Sequence, residues 1–345
     1  MDNFMETLWD DVRNRADELQ NLAQGTPEWL NERWGRLTAV DFGEVCKRQD
    51  TTSCKRFVTD KLYKSKVQGR LDDVKQIQHG KLNESLAKER LKTKGYPSIK
   101  ECGFFVDKDM PFLGASPDGL IGSDAILEVK CPFKAYESKT KNEAMDMKLV
   151  TYLERDGNGE VKLKTNEDYY YQVQGQLHIT RRQRCVFMVF AKHWEHIEEI
   201  ERSNHFWNTN MRDQLERFYK GALLPEIAMS RYKYRNLKED IRELPSVIEA
   251  QAKAVRDRAE KEENNRKKKR EQEEAKQKRK EAQEAKEKQK KEAQEAREKK
   301  KREAEEARER KRKEVEEARE RKRKEKEERG DATGKRMRGN VQRKP

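Results

Sequence analysis

After Tyr234 the chain contains no aromatic residue, and residues 255–329 contain neither glycine nor proline. A stretch this long without aromatics cannot close a core of its own, and one without breakers that is rich in Glu, Lys, Arg and Ala is suited to helix. From Lys280 the sequence repeats every 11 residues, as KEAQEAKEKQK, KEAQEAREKKK, REAEEARERKR and KEVEEARERKR. Each full copy sets Glu four residues ahead of Lys or Arg twice, as in Glu284–Lys288 and Glu287–Lys291. Such pairs add roughly 0.2–0.5 kcal/mol each to a helix. A fully helical 255–329 would run about 110 Å at 1.5 Å per residue. An 11-residue period suits a right-handed coiled coil, yet the repeated apolar positions are nearly all alanine (282, 285, 293, 296, 304 and 307). That stripe buries little, so a solvated single helix is expected over a weak coiled coil, whose seams need larger side chains.

The formal charge of +14 lies wholly beyond residue 250, where 39 Lys and Arg face 25 Asp and Glu, while residues 1–250 hold 41 of each. The basic end, GKRMRGNVQRKP, is expected to be disordered. It reads as a nuclear-import signal or a phosphate-backbone contact, with a solubilising tail as the plain alternative. The expected organisation is an N-terminal helix over 1–24, a folded domain over 25–235, a linker over 236–254, the charged helix over 255–329 and the basic tail over 330–345. The opening MDNFMETLWDD is acidic and lacks the apolar stretch of a secretory leader, and the longest apolar run, CVFMVFA, is too short to span a bilayer. An intracellular chain with no membrane partner is expected. Five cysteines (46, 54, 102, 131 and 185), with no C-x-x-C, read as reduced thiols rather than a disulfide framework or a zinc site. His193 and His196 fall on a strand and turn, not on the helix that would aim both at a metal.

Within the folded part the hydrophobic period switches. Residues 2–24, Pro27 to Trp34, Thr38 to Cys46, 54–63 and Gln76 to Lys94 read as helices. ECGFFVDKDMPFLGASPDGLI then alternates and turns at Asp107–Pro111 as a hairpin does, and AILEVKCP is a short strand closed by Pro132. Residues 134–150 are expected to be helical, and Asp156-Gly157-Asn158-Gly159 to tip a second hairpin. EDYYYQVQGQLHIT suits a helix, RCVFMVFAKH and HIEEIERS suit strands, and 205–223 a closing helix. The order implies an α/β fold with a mixed sheet flanked by helices.

One strand carries charges that packing does not explain. In AILEVK, Glu128 and Lys130 are two apart and share a face, while Val129 points the other way. Asp118, on the preceding segment, can lie beside Glu128. Two carboxylates brought together repel and are costly to desolvate. A hard divalent cation removes that cost and can activate a water and clamp a phosphoryl oxygen. Lys130 can then steady the water or the developing negative charge. A surface hairpin with an accidental salt bridge is the bland alternative. An upstream acid, Glu84 in HGKLNESLAKERL, would complete a three-carboxylate site if its helix faces the hairpin, although Lys88 four residues on equally suits a solvated pair.

ASPDGL, LEVKCPF and YYYQVQGQL, with HGKLNE and WLNERWGRLTA upstream, resemble the motifs of the lambda-exonuclease or YqaJ viral recombinase family of PD-(D/E)xK nucleases, in that family's order over about residues 27–195. The resemblance implies a restriction-endonuclease-like core. It implies hydrolysis of DNA with Mg²⁺, for which Mn²⁺ can substitute, by digestion of duplex from a 5′ end in recombination or repair. It implies metal ligation by Asp118, Glu128 and the Val129 backbone carbonyl, with Glu84 as the helical acid, and catalytic roles for Lys130 and Gln172. Arg33, Thr38, Tyr169 and Gln176 would meet DNA or its phosphate. The family often has serine after Thr-Ala; Val40 stands there in this chain and removes one hydroxyl from the implied phosphate pocket. The metal site is untouched by that change. Expected partners are duplex DNA with free ends and, beyond it, further copies of the chain or a single-strand-annealing protein. A structure-specific endonuclease on the same core, and a non-catalytic DNA-binding scaffold with a helical arm, are the alternatives.

Overall fold

AILEVK and RCVFMVF alternate least among the strands, which is the pattern of strands covered on both faces. The computed structural model describes residues 2–64, 75–96, 98–231 and 241–334, and it pairs these two segments at the centre of a mixed sheet. In chain order the elements begin with α1 (Asp2–Asn14), α2 (Ala16–Gln20), α3 (Pro27–Arg33), β1 (Leu37–Thr38), α4 (Phe42–Cys46) and α5 (Lys55–Thr59), which runs into a π-helical turn, Asp60–Lys64. Then come α6 (Lys75–Lys92), β2 (Ile99–Lys100), β3 (Phe105–Val106), β4 (Leu113–Ala115), β5 (Gly119–Ile121), β6 (Ala125–Lys130) and α7 (Lys141–Asp146). The hairpin β7 (Leu153–Arg155) and β8 (Val161–Leu163), α8 (Asp168–Thr180), β9 (Arg184–Phe190) and β10 (Glu195–Glu201) follow. Short helices α9 (Asn204–Phe206), α10 (Arg212–Phe218) and α11 (Leu224–Ala228) lead to α12 (Pro245–Gly334).

The main sheet has the order β10-β9-β6-β5-β2, with β6 and β9 parallel and the other pairs antiparallel. A smaller sheet, β1-β4-β3, pairs β1 with β4 in parallel. The alternation of β6 sends its two faces to different helices. Ile126 packs with Val173 and Leu177 of α8, whereas Leu127 and Val129 pack with Ala87 and Leu91 of α6. Each such buried aliphatic side chain contributes about 1.5–3 kcal/mol. At Gly175 a Cβ would stand 2.3 Å from the Phe42 ring, so only glycine lets α8 lie this close to α4.

Several expectations need correction. The helix expected over 2–24 breaks at Arg15, whose backbone (φ −124°, ψ 8°) is not helical. Thr38 is extended rather than helical, because its N–H and hydroxyl both donate to Asp41 Oδ2 in a capping box. Residues 134–150 hold only α7 and a 3₁₀ turn at Phe133–Ala135. The closing helix is interrupted by π-helical turns at Trp207–Met211 and Tyr219–Leu223. The segment given to a linker is helical from Pro245, and Ile241, Leu244 and Val247 are buried in the core, which a solvated linker would not be. The boundary expected at 235–236 and the basic tail beyond 334 lie outside the described residues. The chain divides into two units, Met1–Val255 and Arg256–Pro345. In the second, every described side chain from Arg256 to Lys326 is exposed, as the alanine stripe implies. No described helix is long and apolar enough to cross a membrane, and all five cysteines are free thiols.

Candidate active site

The β5–β6 hairpin fixes the register of the three charges. Gly119 pairs with Leu127, and the Asp118 N–H donates to the Leu127 carbonyl at 3.0 Å, which sets Asp118 beside the second half of β6. The Val129 N–H donates to Asp118 Oδ2 at 2.6 Å. Glu128 and Lys130 share the face toward α8, as the two-residue period requires. The Glu128 carboxylate is 3% exposed, and three donors hold it in place of water. Lys130 Nζ (2.5 Å) and Gln172 Nε2 (2.6 Å) reach Oε1, and Gln176 Nε2 reaches Oε2 at 2.7 Å. Lys130 Nζ also donates to Gln172 Oε1 at 3.1 Å and lies 4.5 Å above the Tyr169 ring. Tyr169, Gln172 and Gln176 recur at helical spacing, so one stripe of α8 clamps the pair.

Burial, then the charges of Glu128 and Glu84, push the Asp118 carboxyl well above the usual carboxylate range. Burial works against the Lys130 ammonium, but Glu128 and Asp118 together outweigh it and hold its proton more tightly than in an ordinary lysine. Glu84, on α6, pairs with Lys88 at 2.8 Å, and Lys88 also reaches Glu101 at 3.0 Å. Glu84 is thus both the solvated partner of Lys88 and a contributor to the field at Asp118.

Among the described residues no three His, Cys, Asp or Glu side chains converge to enclose a metal ion. The donor set that fits a divalent cation is smaller: Asp118, Glu128 and the Val129 carbonyl, with Glu84 nearby. Mg²⁺ keeps several waters and takes one or two carboxylates, so this set suits it. The repulsion that raises Asp118 is the cost a cation would relieve.

Gln176 is 1% exposed and spends its amide N–H on Glu128, so it cannot meet DNA at the surface as the resemblance implied. Gln172 touches Glu128 and Lys130, and is a positioning residue. Arg33 and Thr38 lie elsewhere, on a cleft of about 980 Å³ that Trp29, Val40, Asp41 and Lys61 also line. Arg33 Nη2 approaches Thr38 Oγ1 at 3.4 Å, and its guanidinium lies 4.2 Å over the Trp29 ring. Arg33 Nη1 (3.4 Å) and Trp29 Nε1 (3.0 Å) reach Ser116 Oγ, two residues before Asp118, which joins this cleft to the charged hairpin. Burial lowers the proton affinity of the Arg33 guanidinium, with Asp41 opposing.

The sequence reading missed Trp29, Asp41, Lys61 and Ser116 in this cleft. It also missed Asn83, whose Oδ1 accepts from the Tyr136 hydroxyl at 2.7 Å and ties the loop after β6 to α6. Ser116 stands inside the quoted ASPDGL and could have been found there. Lys61 and Asn83 carry no local signal.

No curated protein matches the chain. Three solved structures resemble it. An alkaline exonuclease (LHK-Exo) from Laribacter hongkongensis is 24% identical, with a TM-score of 0.45, over 59% of this chain and 95% of that one. A SOX–DNA complex is 12% identical, with a TM-score of 0.40, over 65% and 73%. A phage-related exonuclease from Haemophilus somnus 129PT is 12% identical, with a TM-score of 0.35, over 56% and 96%. The model of one protein family matches residues 28–183, the span that holds Arg33, Glu84, Asp118, Glu128, Lys130, Gln172 and Gln176: these residues form a YqaJ-like viral recombinase domain.

Proposed function

We propose that the chain is a Mg²⁺-dependent deoxyribonuclease with a PD-(D/E)xK core, and that it digests duplex DNA from a 5′ end in recombination or repair. The observation that carries this reading is the buried Glu128–Lys130 pair beside an Asp118 whose carboxyl is strained by neighbouring carboxylates. The recombinase domain over residues 28–183 supports it.

Asp118, Glu128 and the Val129 carbonyl would hold the cation, which supplies Lewis-acid polarisation of the scissile phosphate and a more acidic water. Gln172 and Gln176 fix the Glu128 carboxylate, so its oxygens need not reorganise during the reaction. Lys130, steered by Glu128, Gln172 and the Tyr169 ring, presents its ammonium to the attacking water and the charge that develops on phosphorus oxygens. Glu84 adds a negative charge beside Asp118 from α6. Arg33 and Thr38, in the adjoining cleft, receive phosphate at the DNA end. The charged helix and basic tail add affinity for the DNA backbone.

Purified protein incubated with end-labelled duplexes tests this. Linear DNA should lose nucleotides with Mg²⁺ but not with EDTA, closed circles should survive, and blocking the 5′ ends should stop digestion. Cutting of closed circles would instead favour the endonuclease reading.

A further inference from the structure

Lys61 reaches the Arg33 cleft from the single π-helical turn Asp60–Lys64. Such turns recur at functional sites, where the extra residue re-aims a side chain. Its Nζ stands 2.5 Å from Asp41 Oδ2 and 3.3 Å from Thr38 Oγ1. Arg33 Nη2 approaches the same Thr38 hydroxyl from its own side at 3.4 Å. Two cations therefore converge on one oxygen, with a single carboxylate between them. That carboxylate is already committed, since Asp41 Oδ2 accepts from the Thr38 N–H and hydroxyl at 2.8 Å each. Arg33 has only hydroxyl and ring partners in the cleft, Ser116, Thr38 and Trp29. Burial holds the Lys61 ammonium below the usual lysine range; Asp41 opposes this and Arg33 adds to it. An anion bridging Arg33 and Lys61 would relieve their repulsion. Val40, 56% exposed on the same wall, offers no hydrogen bond to such an anion.

We propose that Lys61 is a specificity-determining residue: with Arg33 it selects a DNA end that carries a terminal phosphate monoester over one that ends in a hydroxyl. A terminal phosphate brings a charge of about −1.5 to −2 and three acceptor oxygens, whereas a hydroxyl end leaves both cations facing each other. The inference rests on the nuclease reading for its substrate, and it is read by binding so that the two can fail separately.

The full chain carrying Asp118→Asn, which does not consume DNA, is titrated against short duplexes with 5′-phosphoryl or 5′-hydroxyl ends at one salt concentration. The phosphorylated end should bind about tenfold or more tightly, the worth of one charge-assisted hydrogen bond. Adding Lys61→Met should bring the ratio close to one while leaving affinity for the hydroxyl end unchanged. Lys61→Gln, which keeps a donor to Asp41, serves in its place if Lys61→Met does not fold. A merely structural Lys61 would weaken both ends equally and leave the ratio intact, which overturns the proposal, as does a parent that binds both ends alike. Absence of Mg²⁺-dependent cleavage by the wild-type chain would remove the nuclease reading without touching a phosphate preference seen in binding.

Discussion

Gln176→Met isolates the hydrogen bond that fixes the second oxygen of Glu128. Met is close to Gln in length and flexibility, so the core volume changes little. The lost contact is the 2.7 Å bond from Nε2 to Glu128 Oε2, made where Gln176 is 1% and Glu128 2% exposed. A hydrogen bond to a charged group contributes about 1.5–3 kcal/mol, and water cannot replace it at this depth. One term offsets it: Gln176 Oε1 is buried with no hydrogen-bond partner, and removing it returns about 1 kcal/mol. The net cost is about 1–2 kcal/mol, which for a domain of this size lowers the melting temperature by about 3–6 °C. A carboxylate freed on one side also loses its preset orientation, so turnover should fall by about tenfold if the same energy is lost in the transition state. Thermal unfolding and single-turnover cleavage across a Mg²⁺ series measure both. A folded Gln176→Met protein with wild-type stability and wild-type Mg²⁺ response would refute the clamp.

Gln172→Met should cost more turnover than Gln176→Met, because it removes both a donor to Glu128 and an acceptor for Lys130; equal rates in single-turnover assays would contradict this. Glu84→Gln should raise the Mg²⁺ concentration needed for half-maximal cleavage, while Glu89→Gln, which only loses an exposed pair with Lys92, should not; identical shifts would assign the effect to the helix rather than to the acid. In EDTA, Asp118 has a raised folded pKa, so it costs nothing below the usual carboxylate range and removes stability as pH rises from there through its raised value. Asp118→Asn, or added Mg²⁺, should therefore stabilise the protein at neutral pH, and urea titrations that show no such gain would count against the strained carboxylate. Residues 1–255 alone should bind DNA more weakly than the full chain and with a flatter salt dependence, a slope of roughly −0.9 per phosphate contact being lost with each cation removed; equal slopes would mean the helix and tail do not touch DNA.

Asp118, Glu128 and Lys130 are legible in the sequence because the strand period is two: charges on a covered face have no packing reason to be there. The α8 stripe is legible as a face but not as a contact. Tyr169, Gln172 and Gln176 could as well have faced substrate, and only the parallel pairing of β6 with β9 brings Glu128 under them. The Arg33 cleft is less legible still, since Lys61 owes its aim to a π-helical turn that no residue pattern announces. Short elements were misread where capping decides the backbone, as at Thr38. The start of α12 was misread where a few apolar residues, Ile241, Leu244 and Val247, dock a polar-looking segment. The exposed helix beyond Val255 was read well because its i,i+4 pairs and alanines are local and need no tertiary partner.

The most direct test of the Asp118–Glu128–Lys130 centre is a single-turnover measurement on end-labelled linear duplex, with wild type, Asp118→Asn and Lys130→Met each verified as folded and DNA-bound. The expected result is Mg²⁺-dependent release of nucleotides by wild type, and a loss of several orders of magnitude in both variants with DNA binding retained. Cleavage by folded Asp118→Asn at the wild-type rate, or a wild-type protein that binds DNA and never cleaves it with Mg²⁺ or Mn²⁺, would contradict it.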